Sequence, residues 1–280
     1  MSANGSRPRR VRLDCLLTDR GLYPSRSRAA VAVMAGEVRV GADRRRAAKP
    51  SELIDPAEPI SVDTGRAYVS RGGIKLANAL DSCGLEVAGR RALDVGASTG
   101  GFTDCLLQRG AASVVAVDVG YGLLDYALRM DPRVTVLERT NARALTPGAL
   151  ADASAGRADA PEVASIDVSF ISLTLVLGAV LGCMADSYDV LAMIKPQFEV
   201  GRERVARGRG VIRDAGDRRE SLITVGRAAL ELGASVLAYH ASGLPGPKGN
   251  RETFIHLAEP GRHPAADMET LTRMALEVEP

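Results

Sequence analysis

From residue 91 onward the sequence alternates short apolar runs with stretches of helical periodicity, and this alternation constrains the fold more than any other feature. Residues 91–95, 113–118, 134–138, 163–167 and 188–194 read as buried strands, with two more at 234–239 and 253–257. Between them, 101–109, 123–130, 173–185 and 214–232 have helical spacing. The last opens on acidic residues and closes at Gly233, as the helix dipole and the αL cap favour. Repeated strand–helix units predict an α/β fold, a mostly parallel sheet with helices on both faces. Residues 151–161, rich in Ala, Gly and Asp, read as a surface loop or insertion. Aromatics make up 4% of the chain and Trp is absent, so aliphatic side chains must fill the core.

The first 60 residues follow another pattern. Residues 1–8 read as a disordered tail. Helical spacing over 13–20 stops at Gly21, and Ser25 is placed to cap a second helix over 26–35, with Gly36 beyond its end. Val38 and Val40 alternate as in a strand, and 60–62 suggests another. Residues 64–67 form a plausible linker. Charge separates the two regions: residues 1–50 carry 12 Lys and Arg against 4 Asp and Glu, whereas the other 230 carry 24 against 30. A basic head on a mildly acidic body points to a polyanionic partner; a solvated basic tail is the alternative.

Several classes are disfavoured. Cys15, Cys83, Cys105 and Cys183 show no metal-ligand or redox spacing, so reduced thiols in a cytoplasmic protein and no metal are expected. No signal peptide is visible. The stretch 170–185 holds sixteen residues without a charge, short of the roughly 20 a membrane span needs. It reads as a buried helix.

The segment from Asp94 to Phe102 follows a strand and opens a helix. Its spacing, Gly96-x-x-x-Gly100-Gly101, differs from the dinucleotide fingerprint. Asp94, just before the turn, suits a ligand bearing an amino group better than one bearing phosphates. Asp118, at the end of the next strand, stands where an acidic side chain binds ribose hydroxyls. Adenosine joined to a cationic amino acid describes S-adenosylmethionine. The alternative is a tight turn without a ligand.

Four charged residues stand in unusual settings. Asp167 and Lys195 end apolar strands of neighbouring units, at the sheet edge where open α/β folds bind ligands. Lys75 lies in an Arg-Gly-Gly-Ile-Lys run, and Glu252 follows a Gly- and Pro-rich turn. Such a set suits methyl transfer to a ribose 2′-hydroxyl, a weak acid that must be deprotonated or polarised. A lysine can do this if a second lysine nearby depresses its pKa, with carboxylates orienting the amines. A structural ion-pair cluster is the alternative.

These motifs, together with Ser70–Leu76, Asp118–Gly122, Arg139–Arg143, Asp167–Ser172, Lys195–Glu199 and Pro245-Gly246-Pro247-x-Gly249-Asn250, resemble the TlyA family of bacterial rRNA 2′-O-methyltransferases, also described as haemolysins. The resemblance runs from about Arg12 to the C-terminus. It implies a Rossmann-like class I S-adenosylmethionine-dependent methyltransferase of the FtsJ/RrmJ type over 68–280, behind a small α+β, ribosomal-protein-S4-like RNA-binding domain over 9–63. By motif, the family's Lys-Asp-Lys-Glu catalytic set falls on Lys75, Asp167, Lys195 and Glu252, with Lys195 expected to activate the hydroxyl. The implied donor pocket comprises Asp94, Gly96, Ala97, Ser98, Gly100, Gly101, Phe102, Asp118, Val119 and Asn141, with Asp167 near the methyl group. Arg12 and Arg20 fall in the motifs of the head. With Arg26, Arg28, Arg44, Arg45 and Arg46 they are the candidates for phosphate contacts. The implied substrate is a cytidine of ribosomal RNA, in one or both subunits. Residues 202–209 are more arginine-rich than the resemblance predicts and read as a mobile basic loop. Two other readings compete: a membrane-active haemolysin, and a catalytically idle RNA-binding assembly factor.

Overall fold

The computed structural model describes residues 10–23, 25–35, 37–62, 67–154, 159–246, 248–262 and 266–279. The expected tail at 1–8 and residues 64–66 of the expected linker lie outside them. The chain divides into two compact units, 1–66 and 67–280.

The first unit contains β1 (Val11–Arg12), α1 (Leu13–Asp19), α2 (Arg26–Ala35), β2 (Val38–Val40), β3 (Arg45–Arg46), β4 (Leu53–Ile54) and β5 (Ile60–Val62). Antiparallel pairing gives the order β3-β2-β5, and β1 pairs with β4. Leu13, Leu17, Ala29, Val33, Val38, Val40 and Ile54 form its core. The two-residue strands β1, β3 and β4 are too short to leave any periodicity in the sequence.

The second unit runs α3 (Arg71–Cys83), β6 (Arg91–Val95), α4 (Gly101–Gln108), β7 (Ser113–Val117), α5 (Tyr126–Arg129), β8 (Val134–Leu137), α6 (Pro147–Ala153), β9 (Val163–Ile166), α7 (Leu177–Leu181) and β10 (Asp189–Ile194). It continues through α8 (Pro196–Glu199), α9 (Arg202–Arg207), α10 (Ala215–Glu231), β11 (Ser235–Ala241), β12 (Thr253–Ala258) and α11 (Met268–Val278). Seven strands form one sheet in the order β11-β12-β10-β9-β6-β7-β8. The five strands from β10 to β8 are parallel, and β12 is antiparallel to both its neighbours. Period-two alternation divides each buried strand between two cores. In β10, Val190, Ala192 and Ile194 join Leu177, Leu222, Val225 and Leu271 on one face. Leu191 and Met193 join Leu76, Leu80, Phe102, Leu106 and Phe254 on the other.

Four segments depart from their expected form. The expected helix over 123–130 shrinks to α5, whose N-cap is Asp125, its carboxylate accepting from Ala127 N. The expected helix over 173–185 splits into a 3₁₀ turn at Leu173–Leu175 and then α7. Ser172 caps the turn, and Gly178 and Gly182 weaken helical continuation. Part of the expected loop over 151–161 is helical: α6 reaches Ala153, begun by a Thr146 cap and Pro147 at its first position, an arrangement that pre-sets a helical start. Residues 202–209 are not a free basic loop, because α9 is held by Arg204, which pairs with Asp217 at 2.9 Å and with Glu220.

Besides the single-turn α8, two longer helices have no counterpart among the expected elements. In α3, Gly72 and Gly73 mask the helical pattern. Packing demands one of them, since a Cβ on Gly73 would lie 2.3 Å from Tyr68. The other is the C-terminal α11, capped by the Asp267 carboxylate accepting from Thr270 N at 2.7 Å.

Candidate active site

Strand order reverses between β6 and β9: from β6 the chain builds outward through β7 and β8, then returns to place β9 on its other side. Open α/β sheets bind ligands in the crevice at such a switch point. Gly96 follows β6 with φ +88°, and a Cβ there would lie 2.5 Å from the Asp167 carbonyl oxygen, just past β9. Only glycine lets the two strand ends approach this closely. Gly100 and Gly101 are constrained by the protein as well: added Cβ atoms would lie 2.3 Å from Leu128 and 2.1 Å from Ser70 Oγ. Ala97 and Phe102 turn into the core, Phe102 with its ring 5.9 Å from that of Phe254. The backbone of this stretch, rather than those side chains, faces the crevice.

Backbone hydrogen bonds tie the turn to the loops beside it. Gly96 N and Ala97 N donate to Val117 O at 2.8 and 3.1 Å, and Asp167 N donates to Val95 O at 2.8 Å. Half-buried Asp118 accepts from Ser98 N at 2.8 Å and Gly120 N at 2.6 Å. A carboxylate has about four acceptor sites, so Asp118 retains capacity for hydroxyl donors. Val119, next to it, is 74% exposed. Asn141, after β8, is exposed and accepts from Arg143 N at 3.1 Å. Ser98, Arg139 and Phe170 are non-glycine residues at positive φ, each just beyond the end of one of these strands. Such backbone clusters at ligand sites.

Asp94 has no exposed surface. Its oxygens accept from Thr103 Oγ1 at 2.7 Å and Ser165 Oγ at 3.1 Å. It therefore braces the turn from below, linking β6 to α4 and β9, rather than opening onto the crevice. Burial pushes its carboxyl up to about 7.

The four charged residues form two ion pairs. Lys195, just past β10, places Nζ 2.6 Å from Asp167 Oδ1 and donates to Ser169 Oγ at 2.9 Å. The contact to Asp167 is off-axis, so Oδ1, closed to solvent, accepts no aligned hydrogen bond. Lys75 on α3 pairs with Glu252, and both are buried. The loop before β12 folds tightly over this pair, since a Cβ on Gly246 would lie 2.4 Å from Glu252 Oε1. Ile194 and Thr253 are register partners, and Lys195 and Glu252 are the residues immediately beyond them. Asp167 likewise follows Ile166, which pairs with Ala192. One edge of the sheet thus carries both pairs. The expectation that one lysine acts on the other by like-charge repulsion gives way here: each ammonium has its own carboxylate.

Sequence reasoning assigned no role to the supports of this edge. Glu199 on α8 accepts from Ser172 Oγ at 2.5 Å and Leu173 N at 2.9 Å, fastening the loop after β9; burial raises its carboxyl. Asn250 accepts from Ile212 N and donates to Gly210 O, each at 2.8 Å. Arg71 donates to Pro245 O at 3.0 Å. All three lie inside the quoted motifs, but only contacts distant in sequence reveal what they do. Pro247, from the same motif, lies outside the described residues.

In the first unit the seven candidate arginines separate by structure. Arg12 Nε and Nη2 donate to Asp14 at 3.0 and 2.8 Å, and Arg26 Nη2 donates to it at 3.3 Å. These guanidinium groups hold the Asp14 carboxyl well below the usual range. Arg20 Nη2 donates to Pro56 O at 2.5 Å and Glu58 O at 3.2 Å. Arg45 pairs with Glu52 at 2.7 Å. Arg44 occupies the turn after β2 at φ +53°. Arg28 and Arg46 are exposed and show no ion partner among the described residues.

A sheet with this order, a glycine turn at its switch point and an acidic residue ending the next strand defines the class I methyltransferase type of fold and site. The FtsJ-like methyltransferase model matches residues 68–259. A 16S/23S rRNA (cytidine-2′-O)-methyltransferase TlyA from Mycobacterium tuberculosis is 50% identical over 89% of this chain and 90% of its own. Hemolysin A from Brachyspira hyodysenteriae is 36% identical over 88% and 99%. A solved structure from Streptococcus thermophilus, also carried under the name hemolysin, is 38% identical, covers 98% of this chain and 96% of its own, and superposes with a TM-score of 0.71. The chain belongs to the FtsJ-like methyltransferase family, in its TlyA branch. Among the described residues, no helix is long and apolar enough to cross a membrane.

Two outcomes follow from these contacts. Folded Asp94 keeps a proton that the unfolded chain gives up near pH 4, so it makes stability fall as pH rises from about 4 to about 7. Asp94→Asn is expected to remove that slope, read as a difference from the wild type in urea midpoints at pH 5 and pH 8. Glu252→Ala is expected to cost about 3–5 kcal/mol by stranding buried Lys75. The double variant Lys75→Met/Glu252→Leu is expected to recover most of that loss in urea unfolding while remaining inactive in methyl transfer.

Proposed function

We propose that this chain transfers a methyl group from S-adenosylmethionine to the 2′-hydroxyl of a cytidine in ribosomal RNA, acting on ribosomal subunits in the cytoplasm. The observation that carries this reading is the Asp167–Lys195 pair at the ends of adjacent strands, beside the Gly96 turn and one register step from Lys75–Glu252. The residues present fit the donor. Gly96 lets the ends of the two strands approach, Asp118 retains acceptor capacity for ribose hydroxyls, and exposed Val119 offers an apolar contact to an adenine. Asp167 Oδ1 is a buried anionic atom with no aligned hydrogen bond, suited to lie near a cationic sulfonium.

S-adenosylmethionine supplies an electrophilic methyl group on that sulfonium. Lys195 Nζ holds the 2′-hydroxyl and stabilises the negative charge that grows on its oxygen. Asp167 and Ser169 fix the direction of that amine. As the C–O bond forms, the methyl–sulfur bond would break with its electron pair left on the sulfur as a neutral thioether, and the hydroxyl proton would pass to the Asp167 carboxylate beside Lys195, directly or through water. Glu252 and Lys75 neutralise each other in a dry setting and position the acceptor side of the edge. The neighbouring Phe170, 92% exposed, has its ring 5.3 Å from that of Phe198; the two present an aromatic face on which an unstacked base can lie. The basic first unit, read as S4-like, supplies affinity for RNA through Arg28 and Arg46.

Purified protein, labelled donor and isolated ribosomal subunits, followed by 2′-O-methylation mapping, test this directly. Lys195→Ala is expected to slow methyl transfer by about 10²–10⁴-fold while calorimetry shows donor binding intact. Donor binding with no methylation of either subunit would sink the substrate assignment. Arg28→Ala and Arg46→Ala are each expected to reduce the slope of log affinity against log salt by about 1 for RNA binding. Arg20→Ala should instead lower the stability of the first unit.

A further inference from the structure

Away from the methyl-transfer edge, a second cluster of polar side chains has no part in the chemistry above. Cys83 ends α3, His240 lies on β11 and His256 on β12. Their ligand atoms all fall within 4.8 Å of one another. His256 is four residues along β12 from Glu252, about 13 Å at strand rise.

Each imidazole is held by its other nitrogen. His256 Nε2 lies 3.0 Å from Asp189 Oδ1, and His240 Nδ1 lies 2.8 Å from Ser82 Oγ. Asp189 is kept ionised by His256, Arg90 and Arg262, its carboxyl lowered to about 2 despite burial. An ionised carboxylate only accepts, so Nε2 of His256 is committed to Asp189, and Nδ1 is the nitrogen left to face an ion. His240 Nε2 is buried without any hydrogen-bond partner, a state that buried polar atoms rarely tolerate. The Cys83 thiol makes only a long 3.5 Å contact to Leu80 O.

We propose that Cys83, His240 and His256 bind a divalent transition-metal ion of the zinc class, at a site separate from the methyl-transfer centre. One sulfur and two imidazoles, each oriented by a second partner, match the ligand chemistry and outer-shell support of zinc sites. Tetrahedral zinc at about 2.0–2.3 Å from its ligands needs them about 3.4–3.7 Å apart, so the cluster contracts by about 1 Å on binding. The fourth position is left to water. A cavity of about 420 Å³ bounded by Ser82, His240, Arg273 and Glu277 adjoins His240. Burial raises the Cys83 thiol, and metal coordination deprotonates it. Binding therefore forms the sulfur–metal bond and releases one proton to solvent, so affinity rises with pH. The ion would tie the end of α3 to β11 and β12, the same helix and strand that carry Lys75 and follow Glu252.

The test is a cobalt(II) titration of the chelator-treated full chain. One equivalent is expected to give visible bands of tetrahedral cobalt and a near-ultraviolet sulfur-to-cobalt band, both displaced by zinc. Cys83→Ser should abolish the ultraviolet band, His240→Ala should weaken binding at least tenfold, and Ser82→Ala should weaken it by about 10–100-fold. Zinc should raise the Tm of the wild-type chain and leave that of Cys83→Ser unchanged, and Cys15→Ser should behave as wild type. Absence of a saturable band in the wild-type chain, or an ultraviolet band that survives Cys83→Ser, would overturn the site.

Discussion

The carboxyl ends of β6 and β9 meet through a glycine, and the rest of the active edge depends on that approach. With no Cβ on Gly96, the Asp167 backbone lies against the donor turn. The Asp167 carboxylate in turn pairs with Lys195. The positive-φ residues Ser98, Arg139 and Phe170 belong to the same constraint. They are the points where loops leave the parallel strands and bend across the crevice. Backbone bonds from Gly96, Ala97 and Asp167 to neighbouring strands hold the assembly in place.

Electrostatically the edge is balanced. Two buried or half-buried ammonium groups meet two carboxylates, and neither pair leaves a bare charge. Burying charge costs several kcal/mol per ion unless the partner geometry is good. Such pairs are therefore weak devices for stability and better ones for fixing the direction of a reactive group. The two pairs differ in a way that suits different tasks. Lys75–Glu252 is enclosed by the Gly246 loop, whereas Asp167 keeps an oxygen without an aligned donor.

Much of this was legible in the sequence, for identifiable reasons. Buried parallel strands are continuous apolar runs, so β6, β7, β9 and β10 appear within a residue of their true bounds. Charged residues that end such runs, Asp167 and Lys195, stand out for the same reason, and the structure pairs them with each other. What stayed hidden depends on contacts distant in sequence. Gly72 and Gly73 conceal α3, because the close approach of Tyr68 is invisible locally. The expected helix over 173–185 broke because Ser172 and Glu199 fasten its start. A count of arginines in the first unit could not separate Arg12 and Arg26, which clasp Asp14, from exposed Arg28 and Arg46. Nor could cysteine spacing reveal Cys83 beside two histidines, since three separate elements bring them together.

The antiparallel strand β12 has a consequence for how the active edge is built. The Gly96 turn and the loops that carry Asp118 and Asp167 all leave parallel strands. Glu252 instead reaches the same edge on a chain travelling the opposite way, at the end of a loop that touches α3 through Arg71 and Asn78. That loop lies outside the ladder of the parallel strands and is fastened instead through Asn250 to Ile212 and Gly210. Glu252 therefore stands on a rim of different construction from the parallel-strand cup that it meets.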